Sequence, residues 1–453
     1  MGINNLPSSL QSIIQQGYLE REWQDALTAK LGFRAIADRE PFSAGIGETI
    51  TKTRPGLLTA KTTPLAPASN TDLTSGITAD TYSVEQFTLA INQYGDSIPL
   101  NIVTSKVAIQ NQFLLNAKQL AGGAMLTLDE LARNTLFSAY MGGNTRVRTT
   151  LGTAGTTISV DDITGFQNTF NSEGQQVAVS SANPVNVTVG SDIYSLTGTA
   201  ADGTNVSTAP NGISGTLTFA TSVTVADGTA GNSVISAVAP TILRPSNTVN
   251  DPLGAGVSNT SLISKSLNNG GKLTLQFLVD ALGVLEANNV PKAENGYYMC
   301  YADPIHFTGI FQDPAFQSFF RGRADSSEYR KGIISEALGV MVVKTNVNPV
   351  QASLGAGQIR RSIVVGQGAL IEGEYTTQGY AGDLAGGDDD LIEIIDGVAH
   401  VTREPLDALK QVVTQSYAYI GGFCAPTDMT ANPQTIPTAS NANYKRGVIL
   451  ESL

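Results

Sequence analysis

The side chains that most often do chemistry are scarce in this sequence. Its 453 residues include two histidines, His306 and His400, and two cysteines, Cys300 and Cys424. A Ser-His-Asp nucleophilic system needs only one histidine, so counting alone does not exclude one. However, His306 lies beside Phe307 in a predicted helix, and His400 alternates within a predicted strand, which favours packing or surface roles for both. The sequence therefore predicts no catalytic residue.

The motifs that hold metals, nucleotides and cofactors are also missing. No H-E-x-x-H or C-x-x-C spacing occurs, and the run Gly270-Gly271-Lys272-Leu273 lacks both the spacing and the hydroxyl of a phosphate-binding loop. Two isolated cysteines do not make a disulfide framework, so we predict free, buried thiols. We expect no cofactor and no enzymatic activity.

One acidic cluster has the composition of a cation site. Asp383, Asp388, Asp389 and Asp390 flank Gly386-Gly387, and flexible loops rich in oxygen ligands can hold calcium. The D-x-D-x-D-G spacing of a calcium loop is absent, which favours a solvated loop. The four aspartates remain the candidates for a cation site.

Composition limits the partners. The net charge is −12, the sequence pI is about 4.7, and no run of Lys or Arg exceeds two residues, whereas proteins that grip nucleic acid carry a basic patch. Only 15% of the residues are charged, and a surface with little charge is inexpensive to desolvate in permanent subunit contacts. No stretch approaches the ~18 apolar residues of a membrane span, and no basic region precedes an apolar core, so neither a span nor a signal peptide is predicted.

The N-terminal third predicts an arm, a hairpin and a long helix. Residues 1–40 carry a charged helix with Trp23 in its apolar stripe. Residues 41–100 predict two strands around a wide polar loop, and a strand of about 15 residues would reach about 50 Å. Because an isolated hairpin is marginal in water, it needs a surface to lie on. Residues 101–144, with helical spacing from 105 to 141, predict the long helix.

The rest of the chain divides into three parts. Residues 145–262 contain short β-type runs separated by turn signals, which predicts an inserted all-β unit. Residues 263–409 return to mixed helix and strand, and Asp303-Pro304 supplies the N-cap and first position of a helix. Residues 410–453 predict a long alternating strand, a tail rich in Pro, Thr and Asn, and a short closing strand.

The order of these elements resembles the major capsid proteins of tailed bacteriophages with the Hong Kong 97 type fold. The features that match are the helix and strand leading to Asp303-Pro304, the segment 334–343, which is similar to that family's helix-to-strand element but has Met341 where Pro is common, the strand Val364-Val365-Gly366-Gln367, and the returning strands at 401–404 and 410–421. An arm, an extended loop and a spine helix precede them in the same order. The closing residues 444–451 are similar to those of coliphage N-four-like coat proteins.

The resemblance implies an α+β fold and a structural role. The family's parts would be an N-terminal arm (1–40), an extended β-hairpin loop (41–100), the spine helix of the peripheral domain (101–144), an inserted β-rich domain (145–262), the axial domain with parts of the peripheral domain (263–409), and a returning peripheral strand with the C-terminal tail (410–453). The subunit would self-assemble as pentamers and hexamers into an icosahedral shell, built in the host cytoplasm. It would enclose double-stranded DNA without reading its sequence, and would meet scaffolding, portal and decoration proteins.

The implied subunit contacts lie in the arm and in the extended loop. The candidates are Trp23, Leu27, Lys52, Arg54, Lys61 and Phe87. Some members of the family crosslink a loop lysine to a neighbour's asparagine, and the resemblance leaves open whether this chain does so. The aspartates at 383–390 would meet their copies at the capsomer centre, where crowded acidic loops cost free energy unless cations bind.

Two other functions remain open on the residues alone. The β-rich middle also favours a tail-tube or fibre subunit, although the long helix and the mixed C-terminal half oppose it. A carbohydrate-active enzyme with a β-rich binding module would need a pair of carboxylates, which the sequence alone does not locate.

Overall fold

The structure is a computed structural model, and it has a mixed α+β fold with few helices and many strands. It describes residues 21–25, 32–42, 49–62, 64, 81–101, 109–203, 210–245, 255–257, 272–321, 336–351, 358–375, 391–403, 405, 407–427 and 434–452. Residues 21–25 are helical and Phe33–Ile36 form a 3₁₀ turn. The α-helices are α1 (Ile109–Met141), α2 (Leu275–Ala287), α3 (Pro304–Gln312) and α4 (Pro314–Arg321).

The first sheet joins strands from both ends of the chain. Its members are β1 (Ala37–Phe42), β4 (Asn92–Asn101), β20 (Leu370–Tyr375), β21 (Leu391–Ile395), β22 (Val398–Arg403) and β23 (Val412–Cys424). The order is β1-β20-β23-β22-β21, and β4 also pairs with β23. The alternation predicted for β23 is confirmed, because Val413, Gln415, Tyr417 and Tyr419 are all buried. This face packs in one core with the buried residues of α1.

The paired strands of the hairpin in residues 41–100 are shorter than the sequence predicts. The second of the two strands predicted within residues 41–100 is divided into two, since only Ile91 separates β3 (Val84–Ala90) from β4. β3 pairs with β2 (Thr49–Pro55), whereas β4 runs along β23. Each hairpin strand has 7 residues, which is about 23 Å rather than about 50 Å. The alternation of apolar and polar residues continues across the break between β3 and β4, so the sequence pattern does not reveal the break.

The long helix is confirmed, and it begins at Ile109 and ends at Met141. Gly143, with φ of 76°, follows it, and its N–H donates to Thr164 O at 3.0 Å. A positive φ is favourable for glycine, so the end of α1 before Gly142-Gly143 has a physical reason. Tyr140 Oη donates to Ala369 O at 3.0 Å and ties the end of α1 to the first sheet.

Gly122→Ala in α1 should raise the free energy of unfolding by about 0.5–1 kcal/mol, because alanine restricts the unfolded chain and favours a helix. A Cβ at Gly122 meets no atom within 4 Å, so no clash offsets the gain. Urea unfolding followed by circular dichroism measures the change. A lower midpoint in the variant would mean that the helix needs the glycine.

The second sheet is a closed barrel. Its strands, in the order β5-β12-β9-β10-β11-β6, are β5 (Asn144–Arg146), β12 (Ser233–Ser236), β9 (Val185–Val189), β10 (Asp192–Ala201), β11 (Gly215–Val223) and β6 (Gly155–Val160). The ends of this order meet through a bridge between Val147 and Val160. Arg148 N–H also donates to Ser159 O at 2.8 Å. A closed barrel has no free edge for another chain to pair with. A small hairpin of β7 (Asn168–Phe170) and β8 (Gln176–Ala178) lies between β6 and β9 in the sequence.

The third sheet carries the helices of the C-terminal half. Its strands are β13 (Ile242–Pro245), β14 (Ala255–Val257), β15 (Tyr298–Ala302), β16 (Glu336–Ala337), β17 (Val340–Lys344), β18 (Val350–Gln351), β19 (Ile359–Val365) and β24 (Gly447–Ser452). The order is β14-β13-β24-β19-β15-β17-β16, with β18 on β19. The predicted N-cap is confirmed, because Asp303 Oδ1 accepts from Ile305 N–H at 2.8 Å.

Two predictions from the sequence disagree with the strands observed in the third sheet. Residues 336–344 form a β16–β17 hairpin that turns at Leu338 and Gly339, with φ of 52° and 85°, and not a helix followed by a strand. The β-type run from Ile242 pairs with β24, so this stretch belongs to the third sheet and not to the barrel, although the all-β unit was expected to continue to residue 262.

Candidate functional site

The arrangement nearest to a nucleophilic site is sealed inside the chain. His306 Nδ1 and Ser362 Oγ are 2.6 Å apart, and Asp303 N–H donates to the same Ser362 Oγ. A nucleophilic triad needs a carboxylate on the other imidazole nitrogen, but His306 Nε2 has no hydrogen-bond partner. Burial lowers the pKa of His306 to about 4. The three side chains are at most 3% exposed, so no substrate reaches them.

The two cysteine thiols are also enclosed. Cys300 and Cys424 are free and buried, as predicted, and burial raises the pKa of each thiol to about 12. Neither is therefore a thiolate at neutral pH. In the part of the chain that the structure describes, no three His, Cys, Asp or Glu side chains come together as a metal site requires. Asp383, Asp388, Asp389 and Asp390 lie outside the described residues.

The hairpin β2–β3 has one face turned toward its own chain. In an antiparallel pair, residues directly opposite each other share a face. The inward face consists of Ile50, Lys52, Arg54, Glu85, Phe87 and Leu89. Phe87 and Leu89 are 3% and 1% exposed, and they pack with Ile371 and Cys424 of the first sheet. This contact attaches the root of the hairpin to β20 and β23.

The charges of the hairpin's inward face are engaged within the chain. Lys52 pairs with Glu40 of β1, and the Arg54 guanidinium lies 5.4 Å from the centre of the Phe87 ring. Glu85 accepts from Ser440 N–H at 2.7 Å and from Asn441 N–H at 3.2 Å. These contacts attach the hairpin to the first sheet and to the C-terminal tail.

The opposite face of the hairpin, called here the outward face, carries no charged side chain. It consists of Thr49, Thr51, Thr53, Pro55, Val84, Gln86, Thr88 and Ala90. Thr51, Thr53 and Val84 are exposed, and Val84 is 54% exposed. Beyond the paired residues, Leu57, Leu58 and Tyr82 are 57%, 61% and 54% exposed. The solvent-facing side of a strand pair normally carries its charged side chains. In this hairpin the charged side chains lie on the inward face instead.

A pair of glycines sets how closely the hairpin root approaches the first sheet. Gly373 and Gly422 are opposite each other on β20 and β23. A Cβ at Gly373 would lie 2.5 Å from Leu89 Cδ2, and a Cβ at Gly422 would overlap the Ala90 carbonyl. The glycine pair therefore leaves the space in which β3 crosses the sheet.

A buried cluster of charges joins the barrel to the third sheet. Glu451 of β24 accepts from Arg244 Nε at 2.7 Å, from Arg361 Nε at 2.8 Å and from Arg146 Nη1 at 3.3 Å. Arg146 also pairs with Asp161. Burial alone would raise the pKa of Glu451, but the three guanidinium groups hold it well below its usual range. Burial raises the pKa of Asp161 against the opposing effect of Arg146.

A second buried ion cluster fixes the segment that precedes β1. Arg34 donates to Glu372 at 2.7 Å and to Asp396 at 3.0 Å. Tyr419 Oη donates to the same Glu372 carboxylate at 2.9 Å. Arg34 and Glu372 are 3% and 0% exposed, and together they hold this segment against β20.

The predicted contact residues occupy different environments. Trp23 is fully buried within its own chain, and Phe87 is 3% exposed. Lys52 and Arg54 are half-buried and Lys61 is exposed. The other candidate, Leu27, lies outside the described residues. The hairpin root thus brings Lys52, Arg54 and Phe87 together on its inward face.

Sequence reasoning missed the outward face, the glycine pair and the Glu451 cluster. The Thr-x-Thr-x-Thr spacing at 49–53 was available as a signal, since period 2 puts those threonines on one face. No comparable signal exists for Glu451, whose partners lie 90 to 305 residues away in sequence. The glycine pair depends on a register between distant strands that the sequence does not express.

The chain resembles known proteins in its structure and not in its sequence, and the similar structures are phage capsids. No protein-family model and no curated protein matches the sequence. The capsid of Ralstonia phage GP4 is similar, with 12% identity, coverage of 93% of this chain and 88% of that chain, and a TM-score of 0.47. The capsid of the cyanophage P-SCSP1u has 12% identity, coverage of 94% and 88%, and a TM-score of 0.43. The cyanophage Pam1 capsid has 11% identity, coverage of 90% and 85%, and a TM-score of 0.41.

Proposed function

We propose that this chain is the major capsid protein of a tailed bacteriophage. Copies of it assemble as pentamers and hexamers into an icosahedral shell that encloses double-stranded DNA. In this role residues 41–100 act as the extended loop, α1 as the spine helix, and the barrel as a domain inserted between α1 and the third sheet. The element order that resembles the Hong Kong 97 type fold supports the proposal.

The observation that carries the proposal is the charge pattern of the hairpin. Lys52, Arg54 and Glu85 point toward the chain's own body, while the outward face is neutral and exposed. Leu57, Leu58 and Tyr82 add apolar surface beyond the paired residues. Neutral, β-branched surface is inexpensive to desolvate, so this face fits a permanent contact. Its occupant is a second copy of the chain, because a shell of one subunit type must cover every hairpin with a neighbour.

Two buried ion clusters join separate parts of the fold. The buried Glu451 cluster joins the barrel to the third sheet, and the Arg34 cluster joins the N-terminal segment to the first sheet. The closed barrel has no free edge for another chain to pair with, whereas the outward face of the hairpin is exposed. Within the described residues, no helix combines the length and apolarity needed to span a bilayer.

Thr53→Glu on the outward face should abolish shell formation without unfolding the subunit. The variant places a carboxylate without a partner in the contact, and burying such a charge is costly. In the single subunit the residue is exposed, so we expect the free energy of unfolding to change by no more than about 0.5 kcal/mol. Sedimentation velocity measures assembly, and urea unfolding of the subunit measures stability.

Thr221→Glu is the matched control for this prediction. Thr221 is an exposed threonine in β11 of the barrel, so the same chemical change is made away from the hairpin. We expect normal assembly of this variant. Normal shells from Thr53→Glu, or loss of shells from both variants, would contradict the assignment of the outward face as the contact.

Electron microscopy of the purified full-length protein tests the function directly. Closed shells, or sheets and tubes of hexameric rings, are expected for a capsid subunit, with a scaffolding protein added if the chain alone stays unassembled. Stacked rings or long fibres would instead identify a tail component. A subunit that stays monomeric with every added scaffold would overturn the proposal.

A further inference from the structure

Three polar side chains on the core-facing side of the first sheet have no hydrogen-bond partner. His400 and Thr402 lie two residues apart on β22, and Gln415 is opposite Thr402 on β23. All three are 0% exposed. Both ring nitrogens of His400, both amide atoms of Gln415 and the Thr402 hydroxyl lack a partner. Each such group costs folding free energy, because water would satisfy it in an open state.

The helical segment at residues 21–25 covers this face through Trp23. The Trp23 and His400 rings are 4.5 Å apart between centroids and are inclined at 34°. Trp23 is fully buried, and its Nε1 also lacks a partner. An ion pair between Glu22 and Lys118 of α1, at 3.5 Å, is 41% and 59% exposed, so it contributes little. Burial of the Trp23 ring helps to hold the segment in place, and the unpaired polar groups oppose it.

This balance differs from that of an ordinary core contact. Opening a fully apolar contact only costs free energy. Here part of that cost is offset, because opening lets water hydrogen-bond to His400, Gln415 and the Trp23 indole N–H. The balance lowers the free energy that is needed to open this contact. Local opening of this kind, below the free energy of global unfolding, is a general property of weakly satisfied contacts.

We propose that residues 21–25 form a releasable cover over β22 and β23, and that protonation of His400 opens it. The closed cover holds a neutral imidazole against the Trp23 ring with no acceptor for an added proton. The open cover exposes the imidazole to water, where the imidazolium is stable. Acidification therefore exposes the part of β22 and β23 that lies under the cover, while the body of the chain, including the packing of α1 on the first sheet, stays folded.

The surroundings of His400 support this direction of response. The ionisable groups on its own strand and on the elements packed around it are Arg403 on β22, Glu393 on β21, Tyr417 and Tyr419 on β23, Tyr94 and Asp96 on β4, Lys118, Asp129, Glu130, Arg133 and Tyr140 on α1, and Arg21, Glu22 and Asp25 on the cover. Burial is what lowers the pKa of His400, from 6.5 to about 4. Because the open state takes up the proton first, closure is unaffected above pH 6.5 and weakens as the pH falls toward 4. The expected weakening is about 30-fold at pH 5.

The single tryptophan makes the test direct. Trp23 is the only tryptophan in the sequence, so its fluorescence reports the cover alone, while far-ultraviolet circular dichroism reports the whole chain. We would follow both signals in urea titrations of the full-length unassembled protein at pH 7 and pH 5. The Trp23 transition should precede the circular dichroism transition, and its opening constant should rise about 20-fold between pH 7 and pH 5.

Two variants separate this device from general acid sensitivity. His400→Phe keeps a ring against Trp23 and removes the titrating group, so its opening constant should change less than about 2-fold between the two pH values. His306, the other histidine, is retained in every variant, so its contribution is common to all. Gln415→Leu removes two unpaired polar atoms, and the cover should open less readily at both pH values.

Either of two results would overturn the proposal. One is a Trp23 transition that coincides with the circular dichroism transition at both pH values in the wild-type protein. The other is a pH response that persists unchanged in His400→Phe. If His400→Phe fails to fold, Gln415→Leu decides alone, and an opening constant equal to or higher than that of the wild type would refute the cover.

Discussion

Glu451→Gln should lower the free energy of unfolding by about 3–5 kcal/mol, because removing one partner of a buried ionic cluster leaves the others uncompensated. Arg146, Arg244 and Arg361 are 1–2% exposed, and all three donate to this carboxylate. Glutamine keeps the shape but removes the charge. A domain is stable by about 5–15 kcal/mol in total, so a large fraction is lost. Urea unfolding of the purified subunit measures the change.

Glu286→Gln is the matched control for Glu451→Gln. Glu286 is 50% exposed and pairs with the half-exposed Lys292 at 3.5 Å, and such surface pairs contribute at most about 1 kcal/mol. Adding Arg244→Met to Glu451→Gln should recover part of the stability, since it removes one of the uncompensated charges. Equal urea midpoints for Glu451→Gln and Glu286→Gln would show that the cluster does not hold the barrel to the third sheet.

The same carboxylate fixes the response of this junction to acid. The folded state holds the pKa of Glu451 well below its ordinary value of 4.5. A carboxylate with a depressed pKa stabilises the fold fully above its unfolded pKa, and this stability is lost progressively as the pH falls from the unfolded pKa to the folded pKa. The junction therefore stays closed at pH 5, where protonation of His400 already favours opening of the Trp23 cover. The Glu451 cluster and the Trp23 cover therefore respond to acid in different pH ranges.

The sequence predicted most elements whose signal is local. The helix α1, the N-cap at Asp303 and the alternation of β23 depend on spacings within a few residues, and all three are present. The structure differs where pairing over long distance decides. The break between Ala90 and Asn92 exists because β3 pairs with β2 while β4 pairs with β23.

The candidate site was only half predictable for the same reason. Its location in residues 41–100 followed from the resemblance, and Lys52, Arg54 and Phe87 were named from that location. Their inward direction depends on which face of the hairpin meets β20 and β23, and a register shift of one residue would reverse it. The neutral outward face, rather than the charged residues, is therefore the surface left for a neighbour.

Gly422→Ala should prevent assembly by displacing the root of the hairpin. A Cβ at this position overlaps the Ala90 carbonyl and lies 3.0 Å from the Ala90 carbonyl carbon. These are backbone atoms, so β3 itself must shift, at a cost of about 1–3 kcal/mol. A shifted root rotates the outward face away from the position in which a neighbouring copy would meet it. Sedimentation velocity measures the yield of shells, and urea unfolding measures the stability of the subunit.

Two further glycine variants make this prediction specific. Gly373→Ala should have a smaller effect, because its Cβ meets the end of the Leu89 side chain, which can rotate. Gly283→Ala in α2 is the control, since its Cβ meets nothing within 4 Å, and it should stabilise the subunit by about 0.4–1 kcal/mol without affecting shells. Shells at wild-type yield from Gly422→Ala would mean that the hairpin assembles whatever the position of its root. A lower yield of shells from Gly422→Ala than from Gly373→Ala, with a normal yield from Gly283→Ala, would show that assembly depends on the space that the glycine pair leaves for β3.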